Sequence, residues 1–496
     1  MRKPSTNRDS TFLLGGNIIV ALFGIISQFI ILDNLSSFEY GLWVLLLDAA
    51  LTIGTIADFG IPDAMIRTWD GKKSHINFVV KLGFSSQLII ALTVAISSFL
   101  FSIFIGVDNI SILSINAMII GSLILYILGS LRIGLRMMGR ADEESLALIV
   151  DRILYISAVL FVLRFGPSIE NLAFALAGAA FSSLIYTYSR YRKISNNLVD
   201  AGESEPKIGR MEIKGMIRGA FPFAISLFLF PLFGRIDKFL IAGLVGVLEV
   251  AYFNIPWLVI LTGFSVPRSI RQASLPDMAI KRSKISNLSN VFEQSWPLII
   301  LLMWIGIPSC ILLSDFVFEK IFPARLISPS GIDFSGVRLL ICILPAWIWS
   351  MIGSIELEVI KLENNPFKYS GVITISLLAN LIFGYFAIKE FGILGAAISS
   401  TIGFSSLFLI SFLLGPFAKI HRKLAAEKII HGIYYSTVLL LIAYWWNSDI
   451  IAGSSFRAAC IIILTNLPLF IGILLFRTRY LETLGFNPSK RISRGG

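Results

Sequence analysis

The sequence predicts an all-α polytopic membrane protein. It has about fourteen transmembrane helices, set as two pseudo-symmetric six-helix lobes followed by a C-terminal helix pair. Three observations carry this reading. First, 56% of the 496 residues are hydrophobic and only 15% are charged, whereas a water-solvated domain carries about 25% charged residues. Second, fourteen apolar runs approach the roughly 20 residues needed to cross a hydrocarbon core about 30 Å thick. Third, the basic residues collect in alternate connections between those runs.

The runs lie near 11–32, 41–59, 82–105, 115–131, 148–164, 170–189, 219–243, 249–266, 293–313, 338–357, 369–388, 392–414, 429–446 and 453–476. The N-terminal stretch before the first run lacks a small-residue cleavage site, so that run is expected to be a spanning helix and not a signal peptide. Connections on the N-terminal side (1–10, 60–81, 131–147, 190–218, 266–292, 361–368, 415–428 and the tail from 477) hold 33 of the 42 lysines and arginines. Basic loops face the cytoplasm. Both termini are therefore expected inside the cell, in a cytoplasmic (inner) membrane, and that requires an even helix count. The same asymmetry accounts for the net charge of +11 and removes the nucleic-acid reading of a basic chain.

Loop 190–218 contains Asp200-Ala201-Gly202-Glu203-Ser204-Glu205-Pro206-Lys207, a polar linker composition. It divides the chain into a first lobe (1–189), a cytoplasmic linker (190–218), a second lobe (219–414), and helices 13–14 with the tail (415–496). The lobes read as distant repeats. Glu39-Tyr40-Gly41 opens helix 2, and Glu249-Val250-Ala251-Tyr252 opens helix 8. Phe59-Gly60-Ile61-Pro62 followed by Arg67 matches Phe264-Ser265-Val266-Pro267 followed by Arg268 and Arg271. Gly178-Ala179-Ala180 matches Gly395-Ala396-Ala397. Both halves start on the same side, so the repeat axis runs along the membrane normal, as in many secondary transporters.

These residues also resemble a known family. Leu35-Ser36-Ser37-Phe38-Glu39-Tyr40-Gly41-Leu42, with Ala57-Asp58-Phe59-Gly60-Ile61 and Arg67, resembles the opening hairpin of polysaccharide and O-antigen flippases. Phe221-Pro222-Phe223 with Arg235-Ile236-Asp237 resembles the start of their second half, and Phe391-Gly392-Ile393-Leu394-Gly395-Ala396-Ala397 their helix 11–12 turn. The family belongs to the multidrug, oligosaccharidyl-lipid and polysaccharide (MOP) exporter superfamily. The resemblance implies two lobes that open alternately to either side, and a polyprenyl-diphosphate-linked oligosaccharide as cargo. It also implies the bilayer as partner, with polysaccharide polymerase and chain-length machinery beside it. The competing readings are a cation-coupled drug exporter of the same superfamily and a membrane polymerase or ligase.

Charges inside apolar segments are the candidate functional residues, because each costs roughly 2.5–3.5 kcal/mol at a helix centre on insertion scales. Arg235, Asp237 and Lys238 form the densest group. Arg235 and Lys238 are i,i+3 and share a helix face, while Asp237 points elsewhere. Pro231 and Gly234 precede them and predict a bend. Two cations presented from a bent helix suit a diphosphate. Arg67, Arg268 and Arg271 follow the paired prolines and either grip phosphate at the inner mouth or express the basic bias of any inner loop. Asp48, mid-helix 2 without a local basic partner, and Asp58, one turn from the helix end, are the candidate ion-coupling carboxylates, with a hydrogen-bonded acid that fixes helix packing as the alternative. Asp151 and Arg152 read as interfacial and structural, and Glu356 and Glu358 favour neither role. Trp257, Trp347 and Trp349 lie too deep for an interfacial belt and read as packing residues, with sugar stacking as the alternative.

Cys310, Cys342 and Cys460 sit in apolar stretches with no metal spacing, and His75, His421 and His431 are scattered. No P-loop, GxGxxG, HExxH or GxSxG is present. The expectation is a non-enzyme without a cofactor.

Overall fold

The structure, a computed structural model, describes residues 6–69, 75–105, 111–196, 209–267, 285–322, 336–362, 366–415, 422–446 and 459–467. Among these residues every regular element is a helix. Twelve helices are long and apolar enough to cross a membrane, and Gly336–Ile352 is a shorter apolar helix. The fourteenth predicted segment lies mostly outside the described residues, where only 459–467 is seen, as helix.

The chain divides into two compact units, Met1–Ala251 and Tyr252–Gly496. The first contains α1 (Thr6–Asn34), α2 (Ser37–Asp58), α3 (Ile61–Thr68), α4 (Ile76–Ile105), α5 (Ile112–Met137), α6 (Ala141–Leu163), α7 (Ile169–Asn196), α8 (Arg210–Phe233) and α9 (Ile236–Leu244). The start of α10 (Val247–Gly263) also belongs to it. Compactness thus assigns the seventh predicted helix, α8 with α9, to the first unit, because α8 packs on α2, α3 and α4.

Helix ends reach beyond the apolar runs, since capping and ion pairs stabilise turns that hydropathy does not register. α2 starts at Ser37 because Ser36 and Glu39 form a capping box. The Ser36 N–H donates to Glu39 Oε2 at 2.9 Å, and the Glu39 N–H donates back to Ser36 Oγ at 3.3 Å. α6 opens on Asp142, Glu143 and Glu144, which complement the positive end of its dipole. Those carboxylates also pair with arginines of neighbouring elements. Glu144 takes Arg136 of α5, and Glu143 takes Arg190 of α7 and Arg140. Asp151 and Arg132 of α5 are 3.5 Å apart. These ion pairs staple α5, α6 and α7 together, and Asp151 lies buried within α6 and not at its start.

α5 is the hub of the unit, packing on α2, α3, α4, α6 and α7. One core cluster joins Ile61 and Met65 of α3, Val79 and Val80 of α4, Leu128 and Leu131 of α5, Tyr191 of α7 and Ala220 of α8. Within it the buried Tyr191 hydroxyl donates to Asn77 Oδ1 at 2.9 Å. By contrast Leu88, Leu92, Ile96 and Phe99 form an exposed apolar stripe along α4. That surface is suited to lipid, which offers no penalty to exposed hydrocarbon.

The second unit holds α11 (Ile285–Ile321), α12 (Gly336–Ile352), α13 (Ser354–Leu362), α14 (Pro366–Phe391), α15 (Ile393–Leu414), α16 (Arg422–Trp445) and α17 (459–467). Apart from Arg338 and Ser350, α12 is apolar, and it is buried along almost its whole length, as expected for a helix enclosed by others. It packs on α11, α15 and α16. The tenth predicted span, 338–357, is interrupted between Ile352 and Ser354, which divides it into α12 and α13.

The first unit leaves no room for a side chain at Gly41. A Cβ there would lie 2.2 Å from the Val247 carbonyl oxygen, so α2 and the start of α10 touch backbone to backbone. Gly41→Ala is expected to lower stability by about 1–3 kcal/mol through overpacking. Gly24→Ala, where nothing lies within 4 Å, serves as the control. Thermal unfolding of the purified protein in detergent checks the difference.

Candidate functional site

The polar centre of the first unit forms where helix 7 breaks. Pro231 removes a backbone donor near the end of α8, and α8 stops at Phe233 with Gly234 as its cap. Arg235 then occupies the N-cap of α9, and its carbonyl accepts the Lys238 N–H at 3.1 Å. The expected bend is a full interruption, so Arg235 and Lys238 are presented from the first turn of a new helix.

Both cations meet Asp48 of α2. Lys238 Nζ donates to Asp48 Oδ2 at 2.8 Å, and Arg235 Nε lies 3.3 Å from Asp48 Oδ1. Arg235 Nη1 also donates to Thr52 Oγ1 at 3.0 Å. The Thr52 hydroxyl in turn donates to the Asp48 carbonyl at 2.6 Å. Tyr126 of α5 lies close to Arg235. The side chains are 16%, 6% and 13% exposed for Arg235, Lys238 and Asp48, so all three are withdrawn from solvent. Asp48, without a basic neighbour in sequence, has two in space. Asp237 is buried beside them in the first turn of α9, where an acid suits the helix dipole.

Asp58 has a different place. It ends α2, and Phe59 and Gly60 follow with φ of +49° and +73°. The Asp58 carboxylate accepts the Gly60 N–H at 3.3 Å. That turn redirects the chain into α3, and glycine suits it because left-handed backbone strains other residues. Gln87, fully buried, donates to the Tyr126 carbonyl at 3.4 Å and accepts the Ser130 hydroxyl at 2.6 Å. A polar seam thus runs between α2, α4 and α5. Arg67 lies on α3, but its side chain is outside the described set, and Arg268 and Arg271 fall outside the described residues.

The second unit contains a charged centre that hydropathy concealed. Lys428 of α16 and Glu356 of α13 are 0% and 1% exposed, with Nζ 2.5 Å from Oε1. Lys428 also lies over the Trp296 ring, 5.1 Å from its centroid, a cation–π contact. Trp296 Nε1 donates to Glu427 Oε1 at 2.9 Å. Lys428 had counted as a charge of the 415–428 loop. A signal was nevertheless present. Leu424, Lys428, Gly432, Tyr435 and Leu439 follow helical spacing, and all five are buried. Trp349 donates to Ser436 Oγ at 3.1 Å and covers Gly432. Trp257 stacks on Phe253, and Trp347 packs against Gly263 and Gly306. All three tryptophans pack against neighbours in this structure, and the Trp347 N–H is buried without a hydrogen-bond partner among the described residues.

Two sets of comparisons place the chain among known proteins. Residues 7–279 match the family model described as polysaccharide biosynthesis protein. The chain belongs to that family. Its fold is that of MATE transporters of the MOP superfamily. A MATE crystal structure in complex with MaL6 superposes with a TM-score of 0.62 at 14% identity, covering 86% of this chain and 96% of the other. An outward-facing multidrug resistance MATE transporter of the MOP superfamily gives 0.59 at 14%, covering 86% and 97%. A MOP superfamily transporter from Pyrococcus furiosus, described as having a binding pocket of reversed polarity, gives 0.59 at 14%, covering 85% and 97%. None of the curated proteins matches the sequence.

Breaking a buried pair by removing one partner costs about 3–5 kcal/mol, whereas replacing both by apolar residues is often neutral. Asp48→Leu strands two cations and is expected to lower the melting temperature more than Lys238→Met, which leaves Arg235 beside Asp48. Lys428→Met is expected to destabilise strongly, and adding Glu356→Leu to recover most of the loss. Thermal unfolding in detergent ranks all four variants.

Proposed function

We propose that this protein is a flippase. It moves a polyprenyl-diphosphate-linked oligosaccharide, an O-antigen or other surface polysaccharide repeat unit, across the cytoplasmic membrane by alternating access, with both termini in the cytoplasm. The observation that carries the reading is the pair of buried cations at the helix 7 break, Arg235 and Lys238, in a chain of the polysaccharide biosynthesis family. An arginine and a lysine three residues apart match the chemistry of a diphosphate, since guanidinium binds oxyanions bidentately and ammonium adds a mobile point charge. Asp237 shapes the first turn of α9 beneath them.

Arg67, Arg268 and Arg271 are assigned the first contact with the phosphates on the cytoplasmic side. Asp48 and Asp58 are assigned the coupling to an ion gradient, Asp48 directly and Asp58 through the turn into α3. A polymerase and chain-length machinery would consume the product on the far side.

A second reading is a cation-coupled drug exporter, favoured by the fold shared with MATE transporters. It needs a carboxylate in the bundle but not two buried cations.

Arg235→Ala is expected to abolish surface polysaccharide and to accumulate complete lipid-diphosphate-linked repeat units in the inner leaflet, with the protein's membrane level unchanged. Extraction of lipid-linked sugars with parallel staining of surface glycan makes the measurement. Normal glycan with increased drug sensitivity would assign the exporter reading instead.

A further inference from the structure

Asp48 occupies the position that an anionic ligand of Arg235 and Lys238 would take. Its two carboxylate oxygens face one cation each. Other titratable groups lie around those cations as well. Tyr126 from α5 lies beside Arg235. Asp58 lies further along α2, and Asp237 belongs to α9 itself. An incoming oxyanion therefore meets a carboxylate of its own sign, already seated on the donors it needs.

We infer that Asp48 is an internal counter-anion, exchanged for the cargo anion, and that a monovalent cation neutralises Asp48 while the cargo is bound. The inference rests on the anionic-cargo reading of the site. Its chemistry is a balance of charge within a low-dielectric interior. Without cargo, Arg235 and Lys238 share Asp48, and the three charges sum to +1. With a diphosphate on the two cations, the displaced carboxylate lies among apolar helices, where an unpaired charge is strongly disfavoured. A proton on the carboxyl removes that charge. Alternatively a sodium ion is held by Asp48 with oxygen ligands nearby, which suits a hard cation. The Thr52 hydroxyl, one turn along and already bonded to the Asp48 carbonyl and Arg235, is one such oxygen. The cation binds as the anion binds and leaves as it leaves. By linkage, each raises the affinity for the other by the same factor.

The test uses the full-length protein in detergent with inorganic sulfate as the probe, because sulfate keeps its charge over the whole range in which proteins stay folded. Sulfate affinity is measured by calorimetry at acid and at alkaline pH, each in sodium and in N-methylglucamine salts. Wild type is expected to bind sulfate about tenfold more tightly when the neutralising cation is supplied, the ratio that corresponds to one pKa unit of differential interaction. Dependence on pH alone identifies the proton, and dependence on sodium alone identifies Na⁺. Asp48→Asn is expected to bind sulfate at the tight limit under every condition, and Arg235→Gln to lose binding, which places the probe at this site.

If sulfate binds neither wild type nor Asp48→Asn, the anionic-cargo reading itself falls. If it binds wild type with an affinity indifferent to pH and sodium, the cationic grip stands and the counter-anion is refuted. That second outcome is read on wild type alone, so a folding defect in Asp48→Asn does not rescue the idea. An Asp48→Asn protein that folds and keeps the wild-type dependence also refutes it, by assigning the cation to another group.

Discussion

Asp48 stands inside an apolar bundle between an arginine and a lysine, and neither sign can be removed without leaving the other uncompensated. The three side chains are largely withdrawn from solvent, where a lone charge is strongly disfavoured, so they must stay within reach of one another. That requirement fixes the break of helix 7 at Gly234–Arg235, which brings both cations to one carboxylate. It also holds α9 against α2, next to the close approach at Gly41, where only glycine lets the backbones meet. The polar seam through Thr52, Tyr126, Gln87 and Ser130 follows from the same need, since each buried donor must find an acceptor.

The second unit solves a similar problem with different residues. Lys428 and Glu356 are fully enclosed and hold α16 to α13, while Trp296 offers its ring face to the ammonium and its N–H to Glu427. Buried pairs add little net stability over well-packed hydrocarbon. What they add is position, because an ion in an apolar interior must stay within reach of its partners. Each unit therefore has a carboxylate–lysine pair joining helices that are remote in sequence, 190 residues apart in one case and 72 in the other. These pairs resist sliding of the helices they join more than dispersion contacts do.

Much of the fold was legible because lipid imposes a simple rule. A spanning helix must satisfy its own backbone and present apolar atoms outward, so composition and run length find it. Among the described residues, twelve of the predicted segments contain a long apolar helix, the seventh of them broken at Gly234–Arg235, and the tenth is present in two pieces. The ends were less legible. The capping box at Ser36 and Glu39 was written in the sequence but carries no hydropathy signal. The acidic start of α6 read as loop because its charges are satisfied by arginines 8 and 47 residues away.

The site divides along the same line. By itself the sequence determined that Arg235, Lys238 and Asp48 lie within apolar helices and that Pro231 and Gly234 interrupt one of them, since charge and backbone chemistry are local properties. Only the tertiary structure decided that one carboxylate serves both cations, that Lys428 belongs to the interior and not to a loop, and that Trp257, Trp347 and Trp349 pack against neighbours. Those facts depend on which helix faces come together. Between helices buried on several sides, apolar residues are interchangeable enough that periodicity does not name the partner.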